Sequence, residues 1–569
     1  MLAWWKQSPQ IRWREVWIVA AASVLVAIIQ FFPLITQLSS HIATDLGDPL
    51  SQSWQIAWDG HALLHQPLAF WQSNQFWPAE NSLAFSDALV GYAPFGLLGT
   101  GAAATVRNYN IALLFSFGLA LLATYLLARE FGIPPWAAAV AGAAFAYSPW
   151  RLWQTGHMHV VASGGIPLAI FLLMRGYRRS NARLIVAGWL AAGWLGSIGF
   201  TLGIQLDYVL LALGILALVC WVRAGRPRPP ARVVWASVSG TALFLLITWL
   251  VTRPYLRVLD SYPHNTRSLK AVLSFSPGLG AFITPPRQSL LWSGVSEAWG
   301  PENILNQVEK SLYPGIVAVL LAVNGLGWKQ APKALRVGLG LATIGFALLS
   351  LGVHAGTPWR FMPYRFFYEV LPGWDSVRTP GRIHGLTTLC LALLAGMGAA
   401  RTGQWVALRR TPQLGTIAVA TLAVLVLVDG SGLVYPQPKV PMPPSALASV
   451  KGPMLQLPAE AENNRRYLVW STEKFTKMVN GRSSFTPPSY KRIVKASKGF
   501  PSATSIRRLR RFGVRTVVVH TEFREPAMAI IAPPAKGESW HSASTRDFPR
   551  NLGVRRTLKK PLVIYELRR

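Results

Sequence analysis

Cysteine is nearly absent. The two present, Cys220 and Cys390, lie inside apolar runs without the spacing of a metal-ligand set or a redox pair. That argues against a disulfide framework and a cysteine-built metal centre. Acidic residues are scarce as well: 23 Asp and Glu stand against 56 Lys and Arg, a formal net charge of +33. Charged residues of both signs reach only 14%, against 51% hydrophobic, too few for an ordinary soluble enzyme. The chain also lacks a P-loop, a dinucleotide fingerprint and a Gly-X-Ser-X-Gly elbow. ATP-driven transport and soluble-cofactor chemistry therefore have no support. No internal repeat or heptad period is present.

What the chain has instead is long apolar runs and 24 Trp, a residue suited to the bilayer surface. A hydrocarbon core takes about 20 apolar residues to cross as a helix. About eleven segments qualify, centred in 16–36, 109–128, 135–149, 160–175, 184–202, 206–222, 233–251, 313–328, 337–352, 383–400 and 413–429. The basic start ahead of the first run has no small-residue cleavage motif behind it, so that run reads as a retained span. Short basic loops stay cytoplasmic. Placing the N-terminus inside puts Arg129, the Arg175–Arg183 cluster, Arg223–Arg232, Lys329–Arg336 and Arg401–Arg410 inside too. Residues 88–105 are apolar but rich in Gly and Pro. Counting them as a span would invert every later loop, so they are expected outside the membrane core.

The expected organisation is a transmembrane helical bundle over 1–429, with outside segments 37–108, 252–312 and 353–382, followed by an outside domain over 430–569. The fold class is mainly α, with a small α/β C-terminal domain. A proline-rich linker, YPQPKVPMPP, opens that domain. Strand-like runs follow (MLQLP, RRYLVWS, VRTVVVH and PLVIYEL), with SATSIRRLRRFGV as a helix feeding the third. This region carries about 26 Lys and Arg against 8 Asp and Glu. Such a surface suits anionic lipid headgroups or an anionic glycan. Nucleic acid is not expected as a partner outside the membrane.

Three groups carry chemical interest. The first outside loop concentrates Asp45, Asp48, Asp59, Glu80 and Asp87, with Arg107 its only arginine or lysine. Asp45 and Asp48 follow the first span directly. A carboxylate there can act as a general base, and two together can hold a divalent cation such as Mg or Mn. The plainer alternative is a turn at Asp48-Pro49 and a helix cap at Asp45. The second group is Arg151, His157 and His159 in SPWRLWQTGHMHVV. Histidine pairs contact phosphate or metal, or simply end a polar loop. The third is Arg378 and Arg382 in LPGWDSVRTPGRIHG, with Arg253 similarly placed in WLVTRPYL. Arginine binds phosphate in a fork geometry, and near a membrane it also snorkels.

Taken together, a first span, an acidic outside loop with Asp45 and Asp48 in TDLGDP, about ten further spans and an outside domain resemble the GT-C superfamily of membrane glycosyltransferases. More closely, TDLGDPLSQSWQIAWDGHALL, the 74–87 stretch NQFWPAENSLAFSD, AFAYSPWRLWQTGHMH, DSVRTPGRIHGLTTLCLALLAGMGAA and MVNGRSSFTPPSY resemble bacterial YfhO-like multispan proteins. The resemblance implies a polyprenyl-phosphate-linked sugar donor, a glycan, lipid or protein acceptor, and an inverting transfer in the bacterial cytoplasmic membrane. It implies a first-loop acid as base, matching Asp48 or Asp45, with Asp48 preferred. Arg151, His157, Arg378 and Arg382 would hold the leaving phosphate, with His159 and Arg253 beside them. Adjacent paired acids, found in some members, are missing here, which leaves the divalent cation without an obvious second ligand. The alternatives are a non-catalytic protein that binds or moves lipid-linked glycans, and a secondary transporter.

Overall fold

The computed structural model describes residues 8–263, 268–287, 289–295, 307–353, 362–431, 436–521, 552–559 and 561–567. Among them, eight helices are long and apolar enough to cross a membrane. Three of the eleven expected spans are shorter: Pro135–Ala146, Ala182–Ile198 and Ile316–Gly325 have 12, 17 and 10 residues. Residues 90–96 form only a 3-10 turn and one helical turn, nowhere near span length. The helix expected from 233 to 251 runs from Ala231 to Ser261, carrying Pro254 inside it.

The chain divides into two compact units. They differ from the boundary drawn at 429/430, because 36–112 and 253–262 join 437–569. The reason lies in backbone pairing. Ile42 donates to Pro438 O and Val440 to Ser40 O, and Phe76 and Trp77 donate to Asn480 O and Met478 O. The proline-rich segment thus serves as a pairing edge for the first loop, as well as an extended stretch.

The first unit comprises 1–35, 113–252 and 263–436. Its centre is the helix His384–Arg409, buried throughout 384–400 and exposed over its last turns, whereas Trp13–Gln30 and Lys333–Ser350 are mostly uncovered. Trp17, Ile29, Leu211, Leu245 and Leu341 are exposed apolar side chains, as a lipid-facing surface requires. Three arginines expected at the cytoplasmic side gather on two acids. Arg129 pairs with Glu15 at 2.6 Å, and Arg175 and Arg178 pair with Glu130 at 2.6 and 3.1 Å. Helices in lipid associate through close packing of small residues. A Cβ at Gly398 would overlap the Leu321 carbonyl, and one at Gly325 the Leu394 carbonyl, so the helices Ile316–Gly325 and His384–Arg409 touch backbone to backbone. Gly398→Ala is expected to destabilise this unit by about 1–3 kcal/mol, read as a lowered melting temperature in detergent.

The second unit holds a four-stranded sheet in the order β1-β2-β4-β3, where β1 is Met454–Leu457, β2 Thr516–His520, β3 Val554–Lys559 and β4 Leu562–Leu567. β1 and β2 are parallel and the other pairs antiparallel. The parallel pair needs a crossover, supplied by the helices Ala461–Ser471, Pro488–Ala496 and Ala503–Arg511. Val517 and Val519 face one core with Ile506 and Leu509, while Val518 faces the other with Tyr467 and Leu468. The expected strands MLQLP, VRTVVVH and PLVIYEL are present, as is the helix before β2. RRYLVWS is corrected to helix: it closes Ala461–Ser471, whose first turn carries Glu462. Its last five residues, Tyr467 to Ser471, are all buried, so no alternation marks a strand, and the segment has only one β-branched residue to favour one.

His520, at the end of β2, is buried with its ring stacked on Tyr467 at 4.8 Å and its Nε2 3.0 Å from Gln456 Oε1. Burial pushes its pKa down to about 3. The unfolded chain binds this proton near pH 6.5, so stability is full above that value and is lost as pH falls toward 3. At pH 5 the loss is roughly 2 kcal/mol. Melting the protein between pH 7 and 5 is expected to show this slope, and His520→Gln to flatten it.

Candidate functional site

Asp48 opens the helix Asp48–His65, with Pro49 at a position where no backbone N–H is needed. An acid in the first turn suits the helix dipole. The apolar face of this helix buries Trp54, Trp58 and Ala62 beneath Tyr467, Leu468 and Trp470, which fixes where its first residue points. Asp48 is half exposed, and its Oδ1 accepts from Arg465 Nη2 at 3.1 Å. Asp45 lies three residues earlier, its Oδ1 accepting from Gly47 N at 2.6 Å. Thr44, just ahead, has φ +79, a left-handed conformation that a β-branched residue rarely adopts. Arg482 is exposed and lies within electrostatic range of both Asp48 and Arg465. Partial desolvation and then the Arg465 guanidinium push its pKa down, while Asp48 acts the other way.

Further along the same helix, Asp59 is fully buried. Neither carboxylate oxygen has a hydrogen-bond partner. Burial raises its pKa well above the usual carboxylate range.

In the first unit a second constellation forms. Arg382 meets Glu309 through Nη2–Oε1 at 2.5 Å, with Nε 3.1 and 3.3 Å from the two oxygens. Its Nη1 lies 2.6 Å from His159 Nε2. His157 Nδ1 lies 2.9 Å from Gln154 Oε1, and Gln154 Nε2 donates to Val308 O at 3.0 Å. Burial by itself would raise Glu309, but Arg382 and then His157 outweigh it, holding its carboxyl at about 2.

The other sequence-derived residues are placed differently. Arg151 is interior: its guanidinium donates to Ser163 Oγ and to the carbonyls of Ala146, Ser116 and Val161, and lies 4.4 Å from the centre of the Phe117 ring. Such a guanidinium braces the backbone around the His157–His159 turn. Arg378 sits over the Phe275 ring at 4.5 Å. Arg253 is exposed on the long helix ahead of Pro254.

Glu309, Arg465 and Arg482 were not singled out from the sequence. A signal existed for Glu309. It lies just ahead of the apolar run 313–328, as Arg382 lies just ahead of 383–400, so both belong at the same membrane face. Among the described residues, no three His, Cys, Asp or Glu side chains gather as a metal site.

The long apolar helices define the class, a polytopic helical membrane protein. Its fold is similar to that of the arabinofuranosyltransferase AftD from mycobacteria, seen by cryo-EM, with a TM-score of 0.54 and 15% identity. The alignment covers 99% of this chain and 42% of AftD, so the chain spans under half the length of that relative. The Archaeoglobus fulgidus oligosaccharyltransferase also matches, at 14% identity over 89% of this chain and 68% of that one, with a TM-score of 0.43. No curated protein matches in sequence. The chain belongs to the DUF6311 family, a domain of unknown function whose family model matches residues 18–429.

Proposed function

We propose that this protein is an inverting membrane glycosyltransferase that moves a sugar from a polyprenyl-phosphate donor to an acceptor outside the bacterial cytoplasmic membrane. The observation that carries the proposal is the setting of Asp48. It is a half-exposed carboxylate on the first turn of a helix locked into the core, oriented by a guanidinium. The GT-C-like fold over almost the whole chain supports it.

In the assigned step, the Asp48 carboxylate takes the proton of an acceptor hydroxyl. The hydroxyl oxygen bonds to the sugar's anomeric carbon as the bond from that carbon to the phosphate oxygen breaks. Polyprenyl phosphate leaves with the bonding pair, and the configuration inverts. General-base assistance of this kind contributes about 10²- to 10⁴-fold. Within the first unit, Arg382 and Gln154 hold the rings of His159 and His157. Asp45 fixes the turn that precedes Asp48.

The test is transfer of label from a polyprenyl-phosphate-linked sugar in proteoliposomes containing the purified chain. Label reaching a water-soluble or lipid acceptor is expected. Intact donor that crosses or binds the membrane without losing its sugar would instead indicate a lipid-linked glycan binder or mover. A reporter active only outside the cytoplasm, fused to the C-terminus, is expected to be active, since the second unit is assigned to the outer face.

A further inference from the structure

Arg465, paired with the proposed base, and Arg482, within electrostatic range of both, belong to the same compact unit as Asp48. Arg465 spends one Nη2 on Asp48, while its Nε is buried with no hydrogen-bond partner. A buried charged donor left unmet costs about 1–3 kcal/mol or more, so its presence calls for an acceptor that arrives from outside. Arg482 supplies a second guanidinium, exposed to solvent and repelled by the first. Its backbone N–H is tied to Gln75 Oε1 at 3.2 Å, which anchors the loop without engaging the side chain. Two guanidinium groups against a single carboxylate leave an excess of positive charge at an accessible place. Arginine forks match the oxygens of phosphate and carboxylate.

We infer that Arg465 and Arg482 form an anion-recognition site beside Asp48, which takes a phosphate or carboxylate group carried by the acceptor. The inference rests on the proposed role of Asp48, because a group next to the base contacts the molecule that loses the proton. The acceptor class is then an anionic glycan or a phosphorylated polyol rather than a neutral sugar. Asp48 serves two purposes here: it removes the acceptor proton, and it holds Arg465 in place until the anion arrives.

Binding measurements on the full chain in nanodiscs test this without requiring turnover. The probes are glycerol phosphate, glucuronate and farnesyl phosphate. Wild type is expected to bind glycerol phosphate or glucuronate. Arg482→Gln, with its exposed side chain, is expected to weaken that binding about 10-fold or more, and Arg465→Gln at least as much. Asp48→Asn is expected to tighten it several-fold by removing the negative charge that competes with the anion for Arg465, a change opposite in sign to its effect on transfer. Equal affinity in wild type and a folded Arg482→Gln would overturn the site. Arginine-dependent binding of farnesyl phosphate alone would overturn the acceptor assignment and give these residues to the donor. A protein that binds the soluble anions in this way but transfers no sugar would keep the site and remove the proposed reaction.

Discussion

Asp48→Asn is expected to lower sugar transfer by about 10²- to 10⁴-fold while leaving the protein folded. The amide keeps the shape of the side chain and can still meet Arg465 through its oxygen, so the loss isolates the proton-accepting function. The ion pair it weakens is half exposed, and such pairs contribute only about 0–1 kcal/mol, so the melting temperature should barely move. Asp45→Asn is expected to cost much less, since the carbonyl of the new amide can still accept from Gly47 N. Both variants are read by labelled-sugar transfer in proteoliposomes, alongside thermal unfolding. Transfer unchanged in Asp48→Asn would remove the assigned base, and a larger loss in Asp45→Asn would move the role there.

Glu309→Ala is expected to destabilise the first unit by about 3–5 kcal/mol, because it leaves the Arg382 guanidinium buried without its counter-ion. The paired replacement, Glu309→Leu with Arg382→Leu, is expected to recover much of that stability, since apolar side chains of similar size often substitute for a buried ion pair. In that double variant His159 loses the group that holds its ring. A double variant no more stable than Glu309→Ala would overturn this reading of the ion pair. The pH dependence has a definite sign. A carboxyl held at about 2 contributes stability that is complete above its unfolded value near 4.5 and disappears as pH falls toward 2. Neutral and mildly acidic buffers should therefore leave this ion pair intact.

The sequence carried much of the membrane part and less of the site. Apolar runs and loop arginines located the helices because lipid demands uniform composition over a whole span. The shortfall lies in helices such as Ile316–Gly325, where backbone packing against a neighbour replaces length as the reason for being apolar. Asp48 stood out because acids are rare in this chain. Arg465 did not, because arginines are common and because RRYLVWS read as a strand hid the helical face that brings Arg465 to Asp48. Two stretches quoted for the family resemblance, 74–87 and 478–490, are neighbours in space: Met478 N donates to Asn74 O at 2.8 Å and Phe485 N to Phe85 O at 3.2 Å. Their meeting depends on pairing across about 400 residues, which no local pattern reports.

That long-range pairing sets an order of events during synthesis. The loop after the first apolar helix is made early, but the edges and arginine that complete its fold follow about 400 residues later. Until then the loop waits with unpaired backbone groups, and contacts of such separation form slowly. A chain interrupted before residue 437 would hold the eight long apolar helices found among the described residues and still lack the partners that orient Asp48.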